Sequence, residues 1–392
     1  MTILGLVLEL NPFHRGHVYF IQQAKKLSNP DFTIAVLSGN YAMRGEVMVT
    51  NKWERSQLLL DYGVDLIMEL PYLGTNGSAD YFCYNTVKIL TDMGMNHLAF
   101  GVELDQLSYL KTIKTIQYSH AFDLLMQTYL KQGLSYSGAS NKAMMELSKD
   151  ELIRTQFSLP NNTLAIGYLH ALDTLNPTAK VTLVKRIGNQ YFDTTLNNTS
   201  YSSATSLRES LRSNQDISAY VPTTRGFYNP ALIEERLFSA LQYIFATQSI
   251  EQLETYLGID EGIEHRFAKF ILESSTYLEL ITHIQTRRYP INRIRRMILN
   301  ILLQIPKHLE RQYHTYLRIL ALNNAGKAYL KTLSKSTKQQ LITSFKNKQG
   351  IIIDTELKAS KLYGYLVGNP TLYLEEFRVP KGELQHENQT NS

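Results

Sequence analysis

Val7-Leu8-Glu9-Leu10-Asn11-Pro12-Phe13-His14-Arg15-Gly16-His17 is the stretch on which the reading of this chain turns. A short apolar strand, Ile3 to Leu8, runs through a Pro-containing turn into two histidines three residues apart. After Pro12 the chain can enter a helix from about Gly16 to Leu27, whose first-turn amides have no partner within the helix and favour an anion. Gly16 leaves room for the backbone to approach that anion, and His14 and His17 can each offer a ring N–H to oxygens gaining charge at a phosphorus. Neither histidine needs to act as a base. His-x-Gly-His arises by chance, and a lone histidine is more often a surface or satisfied core residue. The strand before the pattern and the helix after it favour a nucleotide phosphate site.

The bulk properties narrow the class. At 392 residues the chain is long enough for a large core in two or three domains, and 44% hydrophobic with 19% charged residues is ordinary for a globular protein. The single cysteine, Cys83, excludes an internal disulfide and any multi-cysteine zinc site, so no metal cage is expected and a reducing cytoplasm is the simplest compartment. No basic leader with a long apolar stretch opens the sequence and no apolar run approaches a membrane span, which predicts a cytoplasmic protein without a membrane partner. The net charge of +5 conceals an asymmetry. From Gln285 to Lys348 there are fourteen Lys or Arg and one acidic residue, Glu310, giving +13 and leaving −8 for the rest. Such a block points to a polyanion partner, although lysine-faced helices in solvent would look similar.

Strand and helix signals alternate over the first two hundred residues, as in a parallel sheet covered on both faces, an α/β Rossmann-like arrangement. Strands are expected at Ile3 to Leu8, Phe32 to Leu37, Leu66 to Leu70, His97 to Gly101 and Val181 to Lys185, with helices at Gly16 to Leu27, Lys52 to Tyr62, Ala79 to Met93 and Leu104 to Leu130. Ligands bind such sheets beyond the carboxyl ends of the strands, where the two histidines, Ser38-Gly39-Asn40 and Phe100-Gly101-Val102-Glu103 would converge. From about Pro230 helical periodicity takes over, in Ala231 to Gln248, Glu261 to Glu279, Ile291 to Leu303 and Leu309 to Leu333. The expected division is a catalytic domain at 1–220, a mainly α-helical basic domain at 221–380 and a polar tail at 381–392, the first boundary falling between about Ser213 and Pro230.

A second phosphate-site candidate is Ser202-Ser203-Ala204-Thr205-Ser206-Leu207-Arg208, in which hydroxyls and an arginine open a helix. Alone it reads as an N-cap. Paired with His-x-Gly-His it resembles the two signatures of the nucleotidylyltransferase superfamily. The resemblance narrows further, since Ser38-Gly39-Asn40-Tyr41, Arg44-Gly45-Glu46, Lys52-Trp53, Asp65 to Pro71, Phe100 to Glu103, Pro160 to Ala165, Lys185-Arg186-Ile187-Gly188, Thr286 to Arg296 and Leu317 to Leu320 look like successive blocks of the bacterial tRNA(Met) cytidine acetate ligase family. The likeness spans about Gly5 to Leu333.

That resemblance implies an enzyme that uses ATP and acetate, through an acetyl-adenylate, to acetylate the wobble cytidine of elongator tRNA(Met), with Mg²⁺ on the phosphates. The ATP contacts it implies here are Val7 to His17 with Val18, Tyr19 and Phe20, then Gly101, Asn162 and Arg186. Read as residues alone, Gly101 is better taken as a strand-end turn and Asn162 as a helix N-cap. Ser203, Thr205 and Arg208 are expected on the departing pyrophosphate, and Arg287, Arg288, Arg293, Arg295 and Arg296 on the RNA backbone. Glu9 and Glu103 lie near the inferred site as acid–base candidates. The chain departs from the family at Leu10, where tyrosine is common, at Arg15, where asparagine is, and at Pro290, where threonine often stands. Arg15 would add a cation beside the phosphates. The rival readings are a nucleotidyltransferase acting on a small metabolite, against which the basic block speaks, and a non-catalytic ATP-binding RNA assembly factor. Gly326-Lys327 is not a P-loop because Ala321 stands where its first glycine belongs. Nothing in the sequence marks a protein partner.

Overall fold

The computed structural model describes residues 1–186, 202–223, 226–309 and 316–380. Ile187 and Gly188, Glu310 and the tail 381–392 lie outside the described residues. Seven strands form one sheet: β1 (Ile3–Leu8), β2 (Phe32–Ser38), β3 (Leu66–Leu70), β4 (His97–Val102), β5 (Lys180–Lys185), β6 (Leu317–Leu322) and β7 (Leu341–Ile342). They lie in the order β5-β4-β1-β2-β3-β6-β7. The first five run parallel, each within a residue or two of its expected bounds. Alternate side chains go to opposite faces. Ile3, Ile34, Val36 and Met68 pack on one side among Phe82, Val87 and Ile166, and Leu4, Leu6, Ala35 and Ile67 on the other with Ile21 and Leu59. Both faces are covered by helices, which is why β2 and β3 are buried at every residue.

The order reverses at β1, with β2 and β3 to one side and β4 and β5 to the other. A crevice therefore opens beyond the carboxyl ends of β1 and β4, where an open α/β sheet binds ligands.

Two long helical expectations break into pairs. Leu104 to Leu130 divides into Leu107–Gln117 and His120–Lys131, because the Ser119 hydroxyl caps a new helix at Phe122 N. Glu261 to Glu279 divides into Ile263–Glu273 and Tyr277–Ile284, where Thr276 caps the second.

The expected helix from Leu309 to Leu333 is overturned more deeply. Leu317–Leu322 is a fully buried strand, antiparallel to β3, and among the described residues of that span only Asn324–Thr332 is α-helical. A six-residue apolar run has no period of its own, and pairing with β3 decides it. The mainly helical segment, whose core gathers Leu237, Leu241, Phe267, Leu280, Met297 and Ile298, thus returns to the sheet before the chain ends.

A helix at Ile351–Val367 then completes a buried ionic knot. Lys52 Nζ contacts Glu69, Glu356 Oε1 at 3.0 Å and Glu376 Oε1 at 2.7 Å, while Arg318 pairs with Glu376 and, at 2.9 Å, with Glu69. Tyr316 donates its hydroxyl to Glu69 at 2.5 Å. All five charged side chains are buried.

Candidate active site

The cleft begins where β1 ends. Leu10 takes a left-handed conformation, φ 61°, with its side chain buried in the core, a position that costs about 1–3 kcal/mol for a residue with a Cβ and must be held by its surroundings. His14 then caps the helix Arg15–Ser28. Its Nδ1 accepts from Gly16 N at 3.1 Å, and His17 Nδ1 accepts from His14 N at 3.3 Å, forming a reciprocal capping box with histidines in both roles. Gly16 also makes room for the cap: a Cβ there would meet the His14 ring at 2.8 Å.

This arrangement fixes the protons. Each Nδ1 lone pair is used, so each neutral ring carries its hydrogen on Nε2. The rings lie 3.8 Å apart between centroids, and both line the cleft. Burial, followed by the charges of Arg186 and Arg208, pushes His14 down to about 3. His17 is held well below its ordinary value by burial, by His14 and by Arg186. Two neutral N–H donors sit beside a helix N-terminus, suited to an oxyanion at near-neutral pH and unsuited to taking a proton.

The cleft, a cavity of about 260 Å³, gathers most of the expected nucleotide contacts. Val7, Leu8, Glu9, Leu10, Asn11, Gly16, Tyr19 and Phe20 line it with the two histidines, as do Gly101, Arg186, Ser203, Thr205 and Arg208. Gly101 is open: an added Cβ would find nothing closer than Arg186 Cγ at 3.8 Å. Asn11 turns its Oδ1 to Val49 N at 2.9 Å, and its buried Nδ2 has no partner among the described residues, a donor of the kind a ligand satisfies. Ser203 caps the helix Ala204–Arg212, its hydroxyl accepting from Ser206 N at 3.0 Å, so the N-cap reading and the cleft position hold together.

Other expected contacts lie elsewhere. Pro12, Phe13, Arg15 and Val18 are not in the cleft wall. Arg15, at the first position of the helix, donates its Nε to the Ala219 carbonyl at 2.7 Å. Asn162 is buried within the helix Pro160–Leu175, its Oδ1 accepting from Glu103 N at 3.0 Å and Leu104 N at 3.1 Å and its Nδ2 donating to Gln156 O at 3.0 Å. It clips the loop after β4, while its neighbour Asn161 lines the cleft. Glu103 is a helix-entry charge, accepting from Asn162 N at 2.8 Å and Asn161 N at 3.2 Å.

Residues to which the sequence reading gave no place in the site complete the wall. Met43, Arg44 and Glu46 come from the loop after β2. Glu9 Oε1 accepts from Met43 N at 2.7 Å, and burial pushes its carboxyl up. Glu46 joins two arginines, accepting from Arg208 at 2.9 Å and Arg295 at 2.7 Å, while Arg208 also donates to the Asn11 carbonyl at 2.8 Å. Arg44-Gly45-Glu46 was the available signal: Gly45 has φ 74°, and a Cβ there would strike Arg296 N at 2.5 Å.

That packing corrects the reading of the basic block. Arg295 is bound to Glu46, Arg296 packs beside Met43, and Arg318 belongs to the buried knot. Arg293 stacks over Tyr289, and Arg288 pairs with Glu261 at the surface. Arg287, Arg288, Lys331, Lys335, Lys338, Lys346 and Lys348 are exposed. Among the described residues no helix is long and apolar enough to cross a membrane.

Comparison with known proteins agrees with this geometry. The HIGH Nucleotidyl Transferase family matches residues 1–376. The tRNA(Met) cytidine acetate ligase of Anoxybacillus flavithermus is 32% identical across 94% of this chain and 96% of its own length, and that of Staphylococcus saprophyticus 33% identical across 97% and 99%. The crystal structure of apo Thermotoga maritima TmcAL matches at a TM-score of 0.88 with 25% identity, covering 97% of this chain and 99% of that one. The form bound with alpha-thio ATP matches at 0.85 with 24% identity over the same shares. With its histidine capping box at the switch point of the sheet, the chain belongs to the tRNA(Met) cytidine acetate ligase family of HIGH nucleotidyl transferases.

Proposed function

We propose that this protein activates acetate with ATP and acetylates the wobble cytidine of elongator tRNA(Met). The observation that carries the reading is the His14–His17 capping box at a helix N-terminus, in a cleft also walled by Arg186 and Arg208. Family membership supplies the substrates.

In the first step an acetate oxygen bonds to the α-phosphorus of ATP, the bond from that phosphorus to the bridging oxygen breaks, and pyrophosphate leaves. His14, His17 and the helix amides stabilise the charge gathering on the α-phosphate oxygens. Arg186 orients the triphosphate, and Arg208 with the Ser203–Thr205 helix start holds the leaving pyrophosphate. Mg²⁺ would come with the phosphates and supply charge neutralisation there. Glu9 and Glu46 are already engaged by protein donors, so cations and hydroxyls form the protein's share of that polyphosphate site. In the second step the cytidine N4 bonds to the acetyl carbon, the carbon–oxygen bond to the adenylate breaks, AMP leaves and one proton is released. The division into a catalytic part, 1–220, and an RNA-gripping part, 221–380, belongs to this proposal, with the exposed Arg287, Arg288 and lysines as its phosphate contacts.

The test incubates the protein with ATP, magnesium, isotope-labelled acetate and unmodified elongator tRNA(Met), then digests the RNA. Labelled acetylcytidine at the wobble position is expected. Pyrophosphate release without labelled RNA would replace the acceptor, and no ATP turnover would favour an RNA-binding assembly factor.

A further inference from the structure

A second cavity of about 320 Å³ adjoins the cleft. The two share Arg44, Glu46, Thr205 and Arg208, so they meet along that wall. The far wall of the second comes from the helical segment: Ile233 and Leu237 from the helix Pro230–Thr247, Tyr277 from Tyr277–Ile284, and Asn292 with Arg295 from Ile291–Leu303. The contact of Gly45 with the Arg295–Arg296 backbone fixes the rim.

The charges of the lining are largely spent on one another, which leaves apolar and aromatic wall for a flat, uncharged ring. Three carboxylates, those of Glu46, Glu209 and Glu234, face the chamber with four arginines, and all three hold arginines: Glu46 binds Arg208 and Arg295, Glu234 binds Arg212, and Glu209 pairs with Arg212 at 3.1 Å, while Arg44 is the fourth cation of the wall. Ile233 and Leu237 supply apolar surface and Tyr277 an aromatic edge. Glu46, which lines both cavities, accepts from Arg208 at 2.9 Å and, within the chamber, from Arg295 at 2.7 Å. A carboxylate has about four acceptor sites, so Glu46 can also take a hydrogen bond from an exocyclic amine such as cytosine's.

We propose that this chamber is the acceptor-base pocket, receiving a cytosine turned out of its RNA loop with the amine directed past Glu46 into the cleft. The inference rests on the ligase reading above and adds where its second substrate sits. A base taken out of its stack needs an enclosed place close to the reacting group. Here the enclosure is built jointly by the sheet loop 44–49 and the helices that would hold the RNA.

Asn292 lines the chamber but not the cleft, so Asn292→Trp fills one without touching the other. Acetate-dependent exchange of pyrophosphate into ATP is expected to stay within about twofold of wild type, while acetyl transfer to tRNA falls about a hundredfold or more. Unchanged transfer would overturn the proposal. A parallel loss of exchange in a folded variant would make the chamber a pyrophosphate path and overturn it as well. If the variant does not fold, a second measurement decides: tRNA carrying 5-iodocytidine at the wobble position, irradiated on the wild-type protein, is expected to crosslink to the peptide containing Tyr277. Crosslinks confined to residues outside the chamber would exclude the pocket. A wild-type protein without acetate-dependent exchange would sink the ligase reading instead, and the crosslink would still report on the chamber.

Discussion

Two regions at the carboxyl edge of the same sheet hold polar side chains out of water, and they do so by opposite means. In the cleft, burial keeps His14 and His17 uncharged, and their Nδ1 atoms are spent on backbone amides three residues apart at most. In the knot, Lys52, Glu69, Arg318, Glu356 and Glu376 remain within ion-pair distance of one another although they come from five separate parts of the chain. Glu69 shows the balance: burial raises its carboxyl, but Lys52 and Arg318 outweigh burial and hold it well below the usual carboxylate range. The cleft keeps donors available for a visitor. The knot's ions are paired with one another, and their work is to fasten the returning strand β6 and the helix Ile351–Val367 to β3 and the helix Lys52–Asp61. Stability and chemistry should therefore separate by mutation.

Lys52→Met is the largest blow to the fastening side. Removing one partner leaves Arg318 to Glu69 and Glu376 and strips Glu356 of its ion pair, and breaking a buried pair in this way costs about 3–5 kcal/mol. Urea denaturation should show that loss, with the exchange activity of the protein that remains folded close to wild type. Full stability in the variant would mean the knot fastens nothing.

His17→Ala makes the converse cut. Loss of one donor to a charge-gathering oxygen is expected to lower acetate-dependent exchange by about 10²–10³-fold. The urea midpoint should move little, since the helix cap lost is worth about 1 kcal/mol. Unfolding with unchanged specific activity would reverse the assignment and make the histidine pair structural.

The same contrast explains what the sequence disclosed. His14, Gly16 and His17 announce themselves because cap, helix and cleft are assembled within a few residues, and β1 to β4 because buried parallel strands are continuous apolar runs between turns. The Ser203 helix start was legible as a cap for the same reason. Arg318 was counted with the RNA-facing cations because its partners, Glu69 and Glu376, lie far away in sequence and only the sheet brings them together. Arg295 misled likewise, since Glu46, 249 positions earlier, claims it. Charge at a position can be read from the chain; whether that charge faces water or a buried partner depends on contacts that composition does not encode. Asn162 teaches a related lesson, because its amide can serve a nucleotide or a loop, and here the backbone of Glu103 and Leu104 occupies it.

Glu356 gives the smallest and most diagnostic test, because it is the ion in excess. With Glu356 ionised the knot holds three carboxylates against two cations. Burial is the main force raising this carboxyl from 4.5 to about 7; Lys52 and the Tyr72 amide oppose it, while Glu69 and Glu376 add to it. The sign of the pH dependence follows from that direction. Below about 4.5 folded and unfolded chains both keep the proton, and the folded state retains its full advantage. Between 4.5 and 7 the unfolded chain gives the proton up while the folded one holds it, so stability drains as pH rises, at about 1.4 kcal/mol per unit and about 3 kcal/mol in all. Glu356→Gln keeps an acceptor for Lys52 and removes the ionisation. Measured by urea unfolding between pH 5 and 8, the difference between the two proteins should grow with pH in favour of the variant and level off above about 7. A variant that is instead less stable at pH 8 would show that the third carboxylate is needed as a charge, and that the knot, like the cleft, is tuned for more than fastening.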